Sequence, residues 1–345
     1  MTAPATRATG SRSGVVLGLA AYVMWGLFPL YFRLLDAAGA VEIVLHRTVW
    51  SLLACAVMVT VVRAWPVVRS LTRRQALLLG AAAVVLAINW GVFIWAVNSG
   101  QVVETSLGYF INPLVSVLLG VLVLGERMRA AQWAAIGIAT VAVGVLTYDY
   151  GRPPWIAVAL AASFGSYGLI KNRVGRGVGA LPGLTVETAV LAPVALAGLL
   201  WLGTTGRSTF TAEGAGVTLL LMASGVLTAL PLLLFAGAAR RVPLSTLGLL
   251  QYITPVMQLL VGVLAFGEPM PPLRLAGFAL VWVALAVFTV DGLRSAGRSR
   301  TATRLARDSD TGNDDADHDH DDDGGDDGGD DDGDRGSPVP PAAVA

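Results

Sequence analysis

Cysteine occurs once in the 345 residues, as Cys55, inside an apolar run. An intrachain disulfide is excluded, and the thiol reads as a small core side chain. Histidine is nearly as scarce: His318 and His320 lie in the C-terminal tail, which leaves His46 alone in the body of the chain. There is no HExxH, and Cys55 has no histidine in its segment. With no clustered nucleophile, metal-ligand set or acid–base pair, neither an enzyme activity nor a cofactor is expected. Acids are the third shortage. Fifteen of the 24 acidic residues lie between Asp308 and Asp334, so 23 basic and 9 acidic residues precede Asp308, a balance of +14 concealed by a formal net charge of zero.

Hydrocarbon fills the rest. Hydrophobic residues make up 54% of the chain and the mean hydropathy is +0.65. Apolar runs of about 20 residues recur from Gly14 to Asp291, which is membrane-spanning composition. The first, Gly14 to Phe32, follows Arg7 and Arg12 but is longer than the apolar region of a signal peptide, and more such runs come after it; it reads as a retained first span. Spans are expected at 14–32, 40–62, 75–97, 102–124, 131–147, 154–172, 183–202, 215–237, 245–266 and 273–291. Each must be helical, because lipid offers no water to a backbone left unpaired.

A shift of 142 positions lays Leu107–Arg129 on Leu249–Pro271 and matches Ile111, Pro113, Leu118, Gly120, Val121, Leu122, Gly125, Glu126 and Met128 with identical residues. The same shift pairs Gly26 with Gly168, Phe93 with Phe235 and Ala96 with Ala238. The chain is therefore read as an all-α integral membrane protein with ten transmembrane helices in two five-helix repeats, 14–147 and 154–291. A short arm, 1–13, precedes them and a tail, 292–345, follows. Five is odd, so the second repeat enters from the opposite side and the repeats are inverted.

Charge follows the same plan. Arg127 and Arg129 after the fourth span become Pro269 and Pro271 after the ninth, whereas Asn98 and Ser99 become Arg240 and Arg241. With the N-terminus inside, only Arg33, Arg152, Arg207 and Arg274 fall on the outer side, the bias that orients bacterial membrane proteins. Both termini are then cytoplasmic, in the cell's inner membrane. The Asp- and Gly-rich tail lacks the apolar surface needed to fold and is expected to be disordered.

Ionisable residues at mid-membrane cost at least about 2.5 kcal/mol, so they face a cavity or a partner. Glu42 and His46 share one face of the second span, and Arg47 is turned roughly 140° from Glu42. Substrate or proton handling is one reading of the three; snorkelling from the outer half to the interface is the other. Glu187 corresponds to Glu42 once three extra loop residues are allowed, which makes the two carboxylates candidates for proton coupling. Pro113 frees the carbonyl of Tyr109, and Pro255 that of Gln251. Tyr109, Asn112 and Ser116 surround the first; Gln251, Tyr252, Thr254 and Gln258 surround the second. These are substrate-binding candidates at two helix kinks, with a packing kink as the plain alternative. Asn89 and Trp90 complete the pocket candidates, while Trp95 and Asn98 suit the interface. Ala131, Ala134, Ala135, Gly137 and Ala139 in the fifth span read as a close-packing surface.

The stretches AAYVMWGLFPLYFRLL, EIVLHRTVWS, NWGVFIWAVNSG, ETSLGYFINPL, ERMRAAQWAAIGIA, TALPLLLFAGAARR and LGLLQYITP resemble EamA-type members of the drug/metabolite transporter superfamily, and within it the RarD subfamily. The resemblance covers residues 14 to 291. It implies ten helices, cytoplasmic termini, a central cavity lined by spans one to four and six to nine, and spans five and ten as peripheral scaffold. The expected function is secondary transport, with export as its direction, of a small metabolite or drug-like solute by alternating access. A lipid bilayer surrounds the protein, protons are the candidate coupling ion, and no nucleic acid is involved. The subfamily's label connected with chloramphenicol is not carried over as a substrate. A lipid-carrier flippase of the same superfamily is the alternative, ahead of a channel or an intramembrane enzyme.

Overall fold

The computed structural model describes residues 6–125, 128–174 and 177–314, and no strand occurs among them. In chain order the helices are α1 (Thr6–Arg33), α2 (Gly39–Val61), α3 (Trp65–Arg69), α4 (Arg73–Asn98), α5 (Val102–Leu124), α6 (Ala130–Tyr150), α7 (Trp155–Val174), α8 (Ala180–Thr204), α9 (Ala215–Ala239), α10 (Leu244–Leu250), α11 (Ile253–Leu260) and α12 (Pro272–Asp314). A 3₁₀ turn, Asp36–Ala38, precedes α2, and a π-helical turn, Val261–Ala265, extends α11. Among the described residues nine helices are long and apolar enough to cross a membrane; α7, with Lys171 and Arg173 in its last turn, is not one of them.

Local chemistry sets the ends. Thr72 and Gln75 close a reciprocal cap on α4, the threonine hydroxyl accepting from Gln75 N at 3.2 Å and Gln75 Oε1 from Thr72 N at 3.0 Å. Gly151 ends α6 at φ +65°, a left-handed backbone that glycine adopts without a Cβ penalty. Two of the expected spans differ from plain rods. The fourth, α5, runs unbroken through Pro113, whereas the ninth divides between α10 and α11, so that Pro255 stands in the first turn of a new helix. A proline costs little there, because the first amides of a helix have no partner anyway.

The unit Met1–Leu293 carries the bundle. Its packing obeys an exchange of halves: α1 packs on α9 as α7 packs on α4, α1 on α11 as α7 on α5, and α2 on α9 as α8 on α4. The self-corresponding pairs, α2 with α8 and α5 with α11, meet across the exchange. The fifth helices reveal relative direction. Arg129, at the start of α6, pairs with Asp291 at 2.6 Å, and Arg274, in the first turn of α12, pairs with Asp149 near the end of α6 at 2.7 Å. Start meets end twice, so α6 and this part of α12 are antiparallel, as inverted repeats require.

The second unit is Arg294–Ala345. Disorder expected from residue 292 onward does not begin there: helical backbone continues to Asp314. Ala296, Ala302, Leu305, Ala306 and several arginines favour helix in this stretch. The Asp- and Gly-rich remainder, with His318 and His320, lies outside the described residues.

Packing also corrects the reading of the fifth span. Of the five small residues named there only Ala135 is fully buried, while Ala134 and Gly137 are exposed and a Cβ on Gly137 would meet nothing within 4 Å. The tight crossing lies elsewhere, between α2 and α9, where a Cβ on Gly225 would sit 2.2 Å from the backbone carbon of Trp50. Gly225→Ala should therefore destabilise the protein by about 1–3 kcal/mol through forced separation of these helices. Gly137→Ala should stay within about 0.5 kcal/mol of the parent. Thermal denaturation in detergent checks the contrast.

Candidate functional site

Residue 47 lies about 12 Å along α2 from Gly39 at 1.5 Å per residue, well inside a hydrocarbon layer about 30 Å thick. Neither charged side chain at this end of α2 snorkels: Glu42 is 3% exposed and Arg47 4%. Their helical separation sends them to different places. Glu42 turns to the α8–α9 connection, where Oε1 accepts from Ser208 Oγ at 2.8 Å and Thr209 N at 2.9 Å, and Oε2 from Thr209 Oγ1 at 3.0 Å. Phe210 N adds a longer bond at 3.3 Å. An acceptor-only carboxylate thus meets a nest of donors. His46 stacks on Phe210, ring centroids 4.6 Å apart, and its Nε2 lies 3.9 Å from Glu42 Oε1. Neither ring nitrogen has a hydrogen-bond partner among the described residues. Beside His46 is a cavity of about 400 Å³ bounded by Leu199, Gly203, Gly206 and residues 208, 210, 211 and 212.

Arg47 points into the bundle. Its Nε donates to Thr228 Oγ1 of α9 at 2.8 Å, and the guanidinium lies 4.2 Å from the ring centre of Trp90, 5.3 Å from Phe32 and 5.5 Å from Phe28. Cation–π attraction of this kind strengthens where water is excluded. Among the described residues Arg47 has no acidic partner.

The remaining candidates divide. Asn89 is tied to α7, its Nδ2 donating to Ser163 Oγ at 2.9 Å and Leu160 O at 3.2 Å, whereas Trp90 lies against the Arg47 guanidinium. Glu187 is 1% exposed and accepts from Lys171 Nζ at 2.7 Å and Tyr167 OH at 3.2 Å. It does not meet Glu42. Tyr109 packs edge-on to Phe93 and Phe164, while Asn112 receives only a marginal 3.5 Å contact from Ser116. Gln251 is half-buried at the α10–α11 break, and Tyr252 OH lies 3.4 Å from Thr289 Oγ1.

Thr254 and Gln258 stitch α11 to α1 through the carbonyls of Tyr22 at 2.8 Å and Trp25 at 3.3 Å. The second acceptor is free because Pro29, inside α1, has no N–H to offer Trp25 O. Nothing in the repeat pointed to Pro29; the four-residue offset from Trp25 was the available signal. Phe28 and Phe32, four apart on α1, and Thr228 were likewise missed.

At the same end as Glu42, Glu104 binds Arg152 at 2.7 Å and accepts Ile156 N at 3.0 Å. Glu268 caps α5 through Val102 N at 2.6 Å and Val103 N at 2.8 Å. Burial pushes the Glu268 carboxyl above the usual carboxylate range, against the pull of these two amides.

The EamA-like transporter family profile matches residues 12–148. Protein RarD of Streptomyces exfoliatus is 55% identical over 297 residues, covering 86% of this chain and 94% of that one. The chain belongs to the RarD subfamily of EamA-type transporters. Among other relatives in the subfamily's neighbourhood, the uncharacterized transporter YojE of Bacillus subtilis is 43% identical, covering 81% of this chain and 94% of its own. The chloramphenicol-sensitive protein RarD of Pseudomonas aeruginosa is 35% identical, covering 82% and 96%. A solved crystal structure, 21% identical, shares the RarD-type fold at a TM-score of 0.51 over 81% of this chain and 98% of that one.

Glu42→Gln tests the loop-anchoring geometry. An amide group turns an NH₂ donor toward donors, so the α8–α9 connection should loosen at a cost of about 2 kcal/mol. Faster labelling of a cysteine introduced at Thr211 reports it.

Proposed function

We propose that this RarD-subfamily protein is a secondary transporter that exports small metabolites or drug-like solutes by alternating access between two inverted five-helix halves. The observation that carries the reading is the antiparallel pairing of α6 with α12, together with the break between α10 and α11 in one half. Inverted halves around discontinuous helices are the architecture on which rocking-type carriers are built. Ten spans with both termini cytoplasmic fit this arrangement, α7 being the tenth.

The charge asymmetry supports that orientation. Of the four arginines on the proposed outer side, Arg152 and Arg274 are neutralised by Glu104 and Asp149. Arg33 donates to Asn98 O and Arg207 lies over Trp201. On the proposed inner side Arg69, Arg73, Arg74, Arg173 and Arg240 have no ion pair among the described residues. The proposed inner side carries more Lys and Arg than the outer even with Arg129 and Lys171 paired to Asp291 and Glu187, the sense that the positive-inside rule rewards.

Proton coupling through Glu42 and Glu187 finds little support in their contacts, since Glu42 is engaged by the loop and Glu187 by Lys171. We assign Glu42 to holding the halves in register and Glu187 to joining α7 to α8 within the second half.

Two measurements test the function. A cysteine placed at Pro271 should label from outside intact cells, and one at Arg240 only after permeabilisation; the reverse pattern would overturn the orientation. In liposomes, a solute that raises the melting temperature of the purified protein should show saturable counterflow. Flux linear in concentration with no counterflow is the signature of a channel instead.

A further inference from the structure

The described bundle buries three acids, Glu42, Glu104 and Glu187. Each is already engaged: by the α8–α9 connection, by Arg152 and Ile156 N, and by Lys171 and Tyr167. Arg47, equally buried, is left with one threonine hydroxyl and three aromatic rings. A guanidinium carries five N–H donors and accepts nothing. Only Nε is used; Nη1 and Nη2 donate to no group among the described residues. If packing alone were at issue, a methionine or leucine would fill this site without desolvating a charge.

The geometry also says what is missing. Rings cover the face of the planar group, and the threonine takes its Nε edge, so the unpaired part is the Nη pair. That fork matches the two oxygens of a carboxylate or a comparable oxyanion. Phe28, Phe32 and Trp90 set an apolar, aromatic wall directly beside the charge. We propose that Arg47 binds the anionic group of the transported solute, an organic anion whose apolar or aromatic body lies against these rings. The inference rests on the transporter reading above and adds the substrate's chemical class. An anionic lipid headgroup has the same chemistry; the water-soluble solute is the source assigned here, because a single arginine enclosed by rings lacks the basic cluster that headgroups meet.

Trp90 makes the site observable without knowing the solute. The probes are iodide, caesium and neutral acrylamide, used as quenchers of the fluorescence of the purified full chain in phosphatidylcholine nanodiscs. The Trp90 contribution is the difference between wild type and Trp90→Phe. With each quencher's constant divided by its value for free N-acetyltryptophanamide, iodide should quench it about threefold more strongly than caesium, as expected beside a fixed positive charge. Arg47→Gln should bring that ratio to about one while acrylamide quenching stays constant, and Arg47→Lys should retain the preference. Equal quenching by iodide and caesium in wild type, on that normalised scale, overturns the proposal, and that comparison decides even if Arg47→Gln does not fold. An unchanged preference in folded Arg47→Gln overturns it too. Loss of the preference on adding phosphatidylglycerol would replace the soluble solute by a lipid headgroup and so refute the assignment. Failure of counterflow with the iodide preference intact would retire the transporter reading and leave the anion site standing.

Discussion

In hydrocarbon a polar group has no water to fall back on; buried hydroxyls here return to their own helix, whereas most of the charged side chains inside the bundle find a partner in the other half of the chain. Asp149 holds Arg274 and Asp291 holds Arg129; Glu42 holds the 208–210 loop; Glu268 caps α5; Gln258 reaches the Trp25 carbonyl; Arg47 reaches Thr228; Asn89 reaches Ser163. Each contact links residues on opposite sides of the boundary near residue 150. Hydrogen bonds to charged groups contribute about 1.5–3 kcal/mol, and orphaning one costs a similar amount. Neither half satisfies its own polar groups alone, which makes the interleaved bundle, and not the five-helix repeat, the unit of stability. Among the buried acids Glu187 with Lys171 is the exception, satisfied within the second half.

This constraint explains what could be read early. Span positions depend on hydropathy alone and survive any tertiary arrangement. Inversion was legible because Arg127 and Arg129 give way to Pro269 and Pro271, a substitution that makes sense only if the two ends face different compartments. The broken ninth span was not legible. Pro113 and Pro255 are the same residue in the same repeat position, yet α5 is continuous and its counterpart is divided. A proline removes one bond and leaves the outcome to its neighbours, and those differ: α11 is tied to α1 by Thr254 and Gln258. The helix beyond Arg294 was missed for the opposite reason, since acidic composition at the far end coloured the reading of the Ala- and Arg-rich stretch before it.

At the site, spacing put Glu42 and His46 on one face of α2 and turned Arg47 away, and the contacts follow that division. Glu42 and His46 belong to the α8–α9 end, beside Phe210; Arg47 belongs to the interior, beside Trp90. The sequence offered no partner for Glu42, because Ser208 and Thr209 lie in a loop more than 160 residues away. It did contain the two aromatic residues of α1, four apart, that wall the arginine. Once the acids are accounted for by their contacts, Arg47 remains as the one buried charge whose hydrogen-bonding capacity is mostly unused among the described residues, and function is read from that remainder.

The most direct measurement is disulfide cross-linking between α6 and α12 in membranes. In the inverted arrangement, Arg129→Cys combined with Asp291→Cys should cross-link, as should Asp149→Cys combined with Arg274→Cys. Parallel halves would instead join Arg129→Cys to Arg274→Cys and Asp149→Cys to Asp291→Cys. Cross-linking of the first two pairs and not the second two is the expected result; the opposite pattern would contradict the account at its foundation.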